Sequence, residues 1–448
     1  MEGMTTLVWF RNDLRVRDHR ALAQAQDQGD AVAVYIHEDD AKPLGGASRW
    51  WLHHSLHAHA KRLADLGIPF LVEQGDPLEI IPALAARLGA NAVTWQRRYD
   101  APGIEVDTQL KAMLPDANIH PTSHPGSLLL EPWEISTSTG GPYRVYSPFA
   151  KAAKKLIDDV EPVAEPRPQT GLTILDPSDS INSLGLLPKH RGEPDWSGGL
   201  DDEWTPGECG AHDRLTDFLD ELELGTDYSE DRDFPARHAT SRLSPHFRFG
   251  EISPRQAWDA CEDSVFRNEL LWREFAWHRF HHLPDLATVN VRSEFDHYDW
   301  SYNDPAAADS LRNWQNGTTG IPLVDAGMRE LRETGYMHNR VRMVVGSFLT
   351  KNLGIHWRHG EEWFWDNLVD ADLASNAFNW QWVAGSGDDA SPFFRIFNPE
   401  TQANKFDPNG TYIKRWSLDS PRQPEPEPII DLKESRQAAL DAYQAIKG

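Results

Sequence analysis

Two cysteines in 448 residues, Cys209 and Cys261, are too few for a disulfide framework or a four-cysteine cluster site. Apolar runs are short, and none approaches the roughly 20 residues that span a bilayer. The opening MEGMTTLVWF lacks the basic, then apolar, then small-residue order of a secretion signal. These absences point to a reducing cytoplasm. Neither G-x-G-x-x-G nor a P-loop occurs, so an ordinary dinucleotide or triphosphate site is not supported. Positive charge is scarce too: the net charge of −25 argues against tight, non-specific nucleic-acid binding. That figure is an average. Residues 390–416 carry Arg395, Lys405, Lys414 and Arg415 against only Glu400 and Asp407.

What is abundant is tryptophan, 18 in all. Trp fills cores and stacks on flat ligands, and it also relays electrons. Composition leaves all three uses open. Hydrophobic periodicity says more. In residues 1–130, strand-like runs at 5–10, 31–36, 69–75 and 92–96 alternate with helix-period segments at 20–28, 48–67, 77–89 and 106–115. That order predicts an α/β domain with a doubly wound parallel sheet, whose ligands sit beyond the strands' carboxyl ends. Residues 131–210 read as a long interdomain linker, dense in Pro, Gly, Ser and Asp over 160–210. Residues 211–448 read as an all-α domain, ending in a Pro-rich connector and one amphipathic helix.

Several stretches carry chemistry. HATSRLSPHFRFGEIS (238–253) sets Thr240, Ser241, Arg242 and Ser244 at a loop-to-helix start, suited to a phosphate or to simple helix capping. On NELLWREFAWHRF (268–280), Glu269, Trp272, Arg273 and Ala276 share a helical face that suits a planar, polar ligand or a surface ion pair. Asn339 and Met343 are i, i+4, and the neighbouring Arg342 has Asp370 and Asp372 as candidate partners. His53 with His57, and His278 with His282, have metal-compatible spacing but no H-E-x-x-H context; no metal is expected. In DLASNAFNWQWVAGSG (372–387), Asn376 and Trp380 share a face, whereas Trp382 points elsewhere.

Taken in order, LVWFRNDLRVRDHRAL, TSRLSPHFRFGEISPRQ, WREF, TGIPLVDAGMRELRETGYMHNRVRM, DADLASNAFNWQW and FRIFNPETQANKFD resemble the photolyase/cryptochrome family over nearly the whole chain. The likeness is strongest to bacterial enzymes that repair cyclobutane pyrimidine dimers. It implies an all-α flavin-binding domain holding FAD, active as the reduced anion. Tyr228 and Thr240, Ser241, Arg242, Leu243 and Ser244 would hold the phosphate side. Arg342 would pair with Asp370, beside Ala371, and Asp372 would meet the pyrimidine edge of the ring. Asn376 would sit at flavin N5, where a neutral amide adds no like charge to an anion.

The resemblance also implies UV-damaged DNA as substrate, with the dimer flipped out of the duplex. Trp272 and Trp382 would flank it, Trp272 also touching the cofactor, and Glu269 would bond its base edges. Asn339 and Met343 would complete the pocket; relatives acting on six-four photoproducts carry histidines there, or need a four-cysteine cluster. Arg232, Arg273, Arg340, Gln402 and Lys405 would lie near DNA. Trp380, Trp357 and Trp300 match an electron relay that reduces the oxidised flavin. A monomer is expected. The antenna is open among methenyltetrahydrofolate, a deazaflavin, another flavin and none. A cryptochrome-like blue-light receptor is the alternative function; Asn376 and the short tail weigh against it. Phe378 and Asn379 stand where the family more often has glycines.

Overall fold

The computed structural model describes residues 4–39, 42–157, 163–187, 197–301, 305–390, 394–417 and 425–447. Among them, β1 (Met4–Phe10), β2 (Gly29–His37), β3 (Phe70–Gln74), β4 (Ala92–Gln96) and β5 (His120–His124) form a parallel sheet in the order β3-β2-β1-β4-β5. Leu7 lies opposite both Val32 and Val93, which fixes the register at the centre. The crossovers are α1 (Arg20–Gln28), α2 (Gly46–Asp65), α3 (Pro77–Leu88) and α4 (Ala101–Met113).

Strand side chains alternate between two faces. Leu7, Trp9, Val34 and Trp95 pack with Ile81, Leu84 and Leu110 from α3 and α4. Val8, Phe10, Ala33 and Tyr35 pack with Leu22 of α1 and with Trp51 and Leu56 of α2. Helices on both faces make the sheet doubly wound, as the periodicity predicts. Strand β5 was not foreseen. It is an edge strand of sequence HPTSH, and an edge needs neither an apolar run nor every ladder N–H.

The stretch read as a linker is packed rather than loose. Helix α5 (Tyr146–Ala153) puts Phe149, Ala150 and Ala153 into the helical-domain core, together with Ile157. Further on, Ile181, Leu186, Leu200 and Trp204 join the core beneath the sheet. Widely spaced apolar residues in a Pro-rich chain escape a periodicity test, yet they still bury. Part of the Pro-rich connector to the last helix lies outside the described residues.

The helix Leu373–Ala384 sits between two cores of the helical domain. Ala374, Ala377 and Phe378 enter one; Trp380, Val383 and Ala384 enter the other. A helix buried on both sides must satisfy its polar groups internally. Gln381 does so: its Nε2 donates to the Leu286 and Val289 carbonyls, and its Oε1 accepts from Val291 N–H.

Glu330, buried on the helix Pro322–Thr334, accepts a 2.5 Å hydrogen bond from Tyr412. Burial pushes its carboxyl up to about 7, against the Tyr412 bond. A raised carboxyl binds its proton more tightly folded than unfolded, so this stabilisation is full below about pH 4.5 and lost as pH rises through about 7. Glu330→Gln is therefore expected to gain on the wild type by about 2 kcal/mol between pH 5 and pH 8. Denaturant titrations at the two pH values check this, and parallel curves would refute it.

Candidate active site

Three segments of the helical domain converge on one ion pair. Arg342 leaves the helix Asn339–Ser347 and grips Asp370 with both guanidinium nitrogens, at 3.1 and 2.8 Å. Ser244, at the start of the helix Ser244–Phe249, donates its hydroxyl to Asp370 Oδ2 at 2.7 Å. Arg342 Nε donates to the Met337 carbonyl, and Arg248 Nε to that of the buried Ala371. The pairing expected of Arg342 is thus present, with Asp370 rather than Asp372. Asp372 instead caps the next helix, accepting from Ala374 and Ser375 N–H. Among the described residues its second carboxylate oxygen accepts no hydrogen bond.

One turn along, Asn376 is oriented by Glu361. Its Nδ2 donates to the Glu361 carbonyl at 3.0 Å and to Glu361 Oε1 at 2.8 Å. Among the described residues Oδ1 accepts no hydrogen bond. The hydroxyl-rich loop contributes differently from expectation at one residue. Arg242 has φ 52, and its guanidinium pairs with Glu203 over the Trp204 and Tyr336 rings. It therefore offers Thr240, Ser241, Leu243 and Ser244 a backbone turn, its charge being already matched. Tyr228 is buried against Phe218 and Phe266, and burial raises its phenol.

The tryptophans separate by packing. Trp380 is 3% exposed and meets Phe364 edge-on at 4.9 Å and Trp314 at 6.2 Å. Its ring lies against Gly360, where any Cβ would collide with it. Trp357 is fully buried and donates Nε1–H to Asn290 Oδ1. Trp300, partly buried, is 4.8 Å from the His356 ring, which in turn is 5.4 Å from Trp357. His356 thus links the two indoles, and burial lowers its imidazole to about 4, leaving it neutral at physiological pH. Phe378 fills the space between Phe275 and Trp272 at 5.5 and 6.4 Å, while the exposed Asn379 bonds back to Ser375. Phe378 is thus part of the core, and Asn379 is not.

On the outer side, Trp272 stacks flat on Tyr146, with centroids 3.6 Å apart and planes 5° off parallel. Only one indole face remains for another ligand. Glu269 pairs with Arg232 at 2.6 Å, and Arg340 with Asp233 at 2.6 Å while lying over Phe406. Trp382 lies under Arg395. Asn339 and Lys405 are exposed, and Met343 and Gln402 half-buried. Arg273 departs from this surface. Its guanidinium bonds the Ser127 carbonyl and Glu274, lining a cavity between the domains. Helical spacing shared one face among these residues, but a long side chain follows the nearest acceptor.

That cavity, about 40 Å³, lies at the carboxyl ends of β1 and β4. Arg11, Asn12, Asp13 and Gln96–Asp100 meet Trp277, Arg248 and Asp372 across it. Sequence reasoning missed Glu361 and Tyr146. Glu361 had one signal: an acid at i+4 from Trp357 and i−4 from Trp365, on an apolar face. Tyr146 had none. The histidine pairs are edge-on ring contacts at 4.7 Å. Among the described residues no group of three or more His, Cys, Asp or Glu is placed to hold a metal, and no helix is long and apolar enough to cross a membrane.

The chain joins a parallel, doubly wound sheet to a mostly helical part that carries an oriented amide, buried indoles and an Arg–Asp pair. Residues 6–169 match the model for DNA photolyase, and residues 266–420 that for the FAD binding domain of DNA photolyase. The chain is 44% identical to the deoxyribodipyrimidine photo-lyase of Agrobacterium fabrum, over 98% of each chain. It is 33% identical to Cryptochrome-2 of Arabidopsis thaliana, over 94% of this chain and 71% of that one. The crystal structure of a bacterial class III photolyase from Agrobacterium tumefaciens superposes with a TM-score of 0.90 at 44% identity, covering 100% of this chain and 98% of that one. The chain belongs to the photolyase/cryptochrome family.

Proposed function

We propose that this chain is a light-dependent DNA repair enzyme that splits cyclobutane pyrimidine dimers. The observation that carries the reading is full-length similarity to a deoxyribodipyrimidine photo-lyase. The oriented Asn376 amide supports it within the helical domain. FAD, when bound as its reduced anion, supplies the electron that opens the cyclobutane ring and takes it back afterwards.

The residues fit FAD. Ser244, Arg342 and Asp370 form the polar wall; among the described residues Asp372 keeps a free carboxylate oxygen, and Asn376 Oδ1 lacks a donor. Thr240 and Ser241 offer hydroxyls to the phosphate side. Trp272 gives the flipped dimer one flat face, with Tyr146 backing the other. Glu269, now satisfied by Arg232, exchanges that partner for the base edges. Trp382, Asn339 and Met343 border the same opening, and Arg340, Arg395, Gln402 and Lys405 meet the phosphates. Trp380, Trp357 and Trp300 return electrons to the oxidised cofactor. An antenna, methenyltetrahydrofolate or a deazaflavin, belongs to the N-terminal domain, beyond the carboxyl ends of its strands. The enzyme works as a cytoplasmic monomer.

The test is purified, reduced protein with an oligonucleotide holding one dimer, in blue light and in darkness. Light-dependent loss of the dimer is the expected result. FAD binding and photoreduction with no dimer loss would overturn repair in favour of a receptor.

A further inference from the structure

We propose that Lys42, in the loop between β2 and α2, is a positioning residue for the Asn376 amide. Through Glu361, the α/β domain holds the amide with its carbonyl oxygen turned to the flavin edge. This rests on the reading that places Asn376 at flavin N5.

The chain of contacts is continuous. Lys42 Nζ lies 2.5 Å from Glu361 Oε1, and the same oxygen accepts Asn376 Nδ2 at 2.8 Å. The Glu361 backbone carbonyl accepts Nδ2 as well. A carbonyl and a carboxylate only accept, so chemistry assigns the amide: NH2 toward Glu361, Oδ1 outward. An outward Oδ1 accepts from N5–H, which the reduced flavin has and the oxidised flavin lacks. Geometry therefore favours reduction.

The loop is built to deliver this ammonium. Lys42 Nζ lies over the Trp365 ring at 4.3 Å, and Trp365 Nε1 donates to the Pro43 carbonyl at 2.8 Å. Gly46 N–H donates to Asp366 and Ser48 Oγ to the Leu368 carbonyl. Gly45 presses so closely on the Trp365 and Asp366 backbone that a Cβ would collide. The docking surface is the helix Trp357–Asn367, which also carries Glu361.

Electrostatics gives Lys42 its effect. Glu361 has a side chain only 3% exposed, and burial raises its carboxyl, opposed first by the Lys42 charge. Loss of that charge pushes the Glu361 carboxyl further up, and a carboxyl that binds a proton is no longer a pure acceptor. Asn376 then loses one of two restraints and the polarisation a carboxylate gives its carbonyl.

The experiment compares Lys42→Met, Lys42→Arg and Asn376→Ala, each loaded with FAD, in the dark and without DNA. The readout is the flavin's reduction equilibrium against a reference dye. Lys42→Met is expected to shift it roughly three- to tenfold toward oxidised flavin, the worth of one hydrogen bond. Lys42→Arg, which keeps the charge, is expected to restore the wild-type value. In flavin-free Lys42→Met, infrared spectra at neutral pH are expected to show a protonated carboxyl band that is missing from wild type and lost with an added Glu361→Gln. An unchanged equilibrium in Lys42→Met, with Asn376→Ala shifted, overturns the proposal and leaves Asn376 at the flavin. No shift in either variant overturns both. A shift in Lys42→Met that arginine does not restore, with no new carboxyl band, assigns the effect to loop docking and also overturns it.

Discussion

Trp380→Phe is expected to abolish light-driven reduction of oxidised FAD while pre-reduced protein still repairs dimers. The indole is buried between Phe364, Trp314 and Gly360, so a smaller phenyl keeps the surroundings apolar. The vacated volume costs about 1–3 kcal/mol of stability, too little to unfold a chain of this size. What phenyl cannot do is give up an electron as easily as indole. Absorbance of the oxidised flavin under blue light with an external donor is the measurement. Undiminished bleaching would remove Trp380 from the relay and direct attention to Trp314, which touches it edge-on.

Asp370→Ala is expected to have the larger effect on the protein itself. Asp370 has a side chain 4% exposed and receives both Arg342 nitrogens and the Ser244 hydroxyl. Removing it leaves a partly buried guanidinium uncompensated, which costs roughly 3 kcal/mol. Arg342 retains the Met337 carbonyl, and Val341, Val344 and Val345 keep the helix Asn339–Ser347 in the core. The wall proposed for FAD loses its anchor, and the variant is expected to release flavin on gel filtration that wild type retains. Asp370→Asn keeps acceptor and shape but not charge, and should fall between the two. Equal flavin retention in all three would mean that the pair stabilises the helices without shaping the cofactor site.

Much of this molecule was legible in residue order. The α/β alternation predicted four of the five strands because all four read as β-rich apolar runs: β1, β2 and β4 are buried on both faces and edge strand β3 on one. Edge strand β5 escaped because an edge is not required to be apolar. The Arg342–Asp370 pair was legible as complementary charges near each other in motif order. Its third member, Ser244, was not legible there, because hydroxyl spacing does not say which acceptor lies closest. Arg273 shared a helical face with Glu269 and Trp272, yet its guanidinium reached the Ser127 carbonyl in the other direction.

The string DLASNAFNWQWVAGSG marks the division most clearly. By itself the sequence determined that Asn376 and Trp380 share a side and that Trp382 does not, because helical rotation is a local property of the backbone. It also determined, through composition, that no cysteine framework or four-cysteine cluster could form. Only tertiary structure decided that Phe378 completes an aromatic core with Trp272 and Phe275. It also decided that Tyr146, 126 residues before Trp272, lies flat upon that indole, and that Lys42 and Asn376, far apart in the chain, meet on the same Glu361 oxygen. Such contacts join residues far apart in the chain, and neither period nor spacing carries information about them.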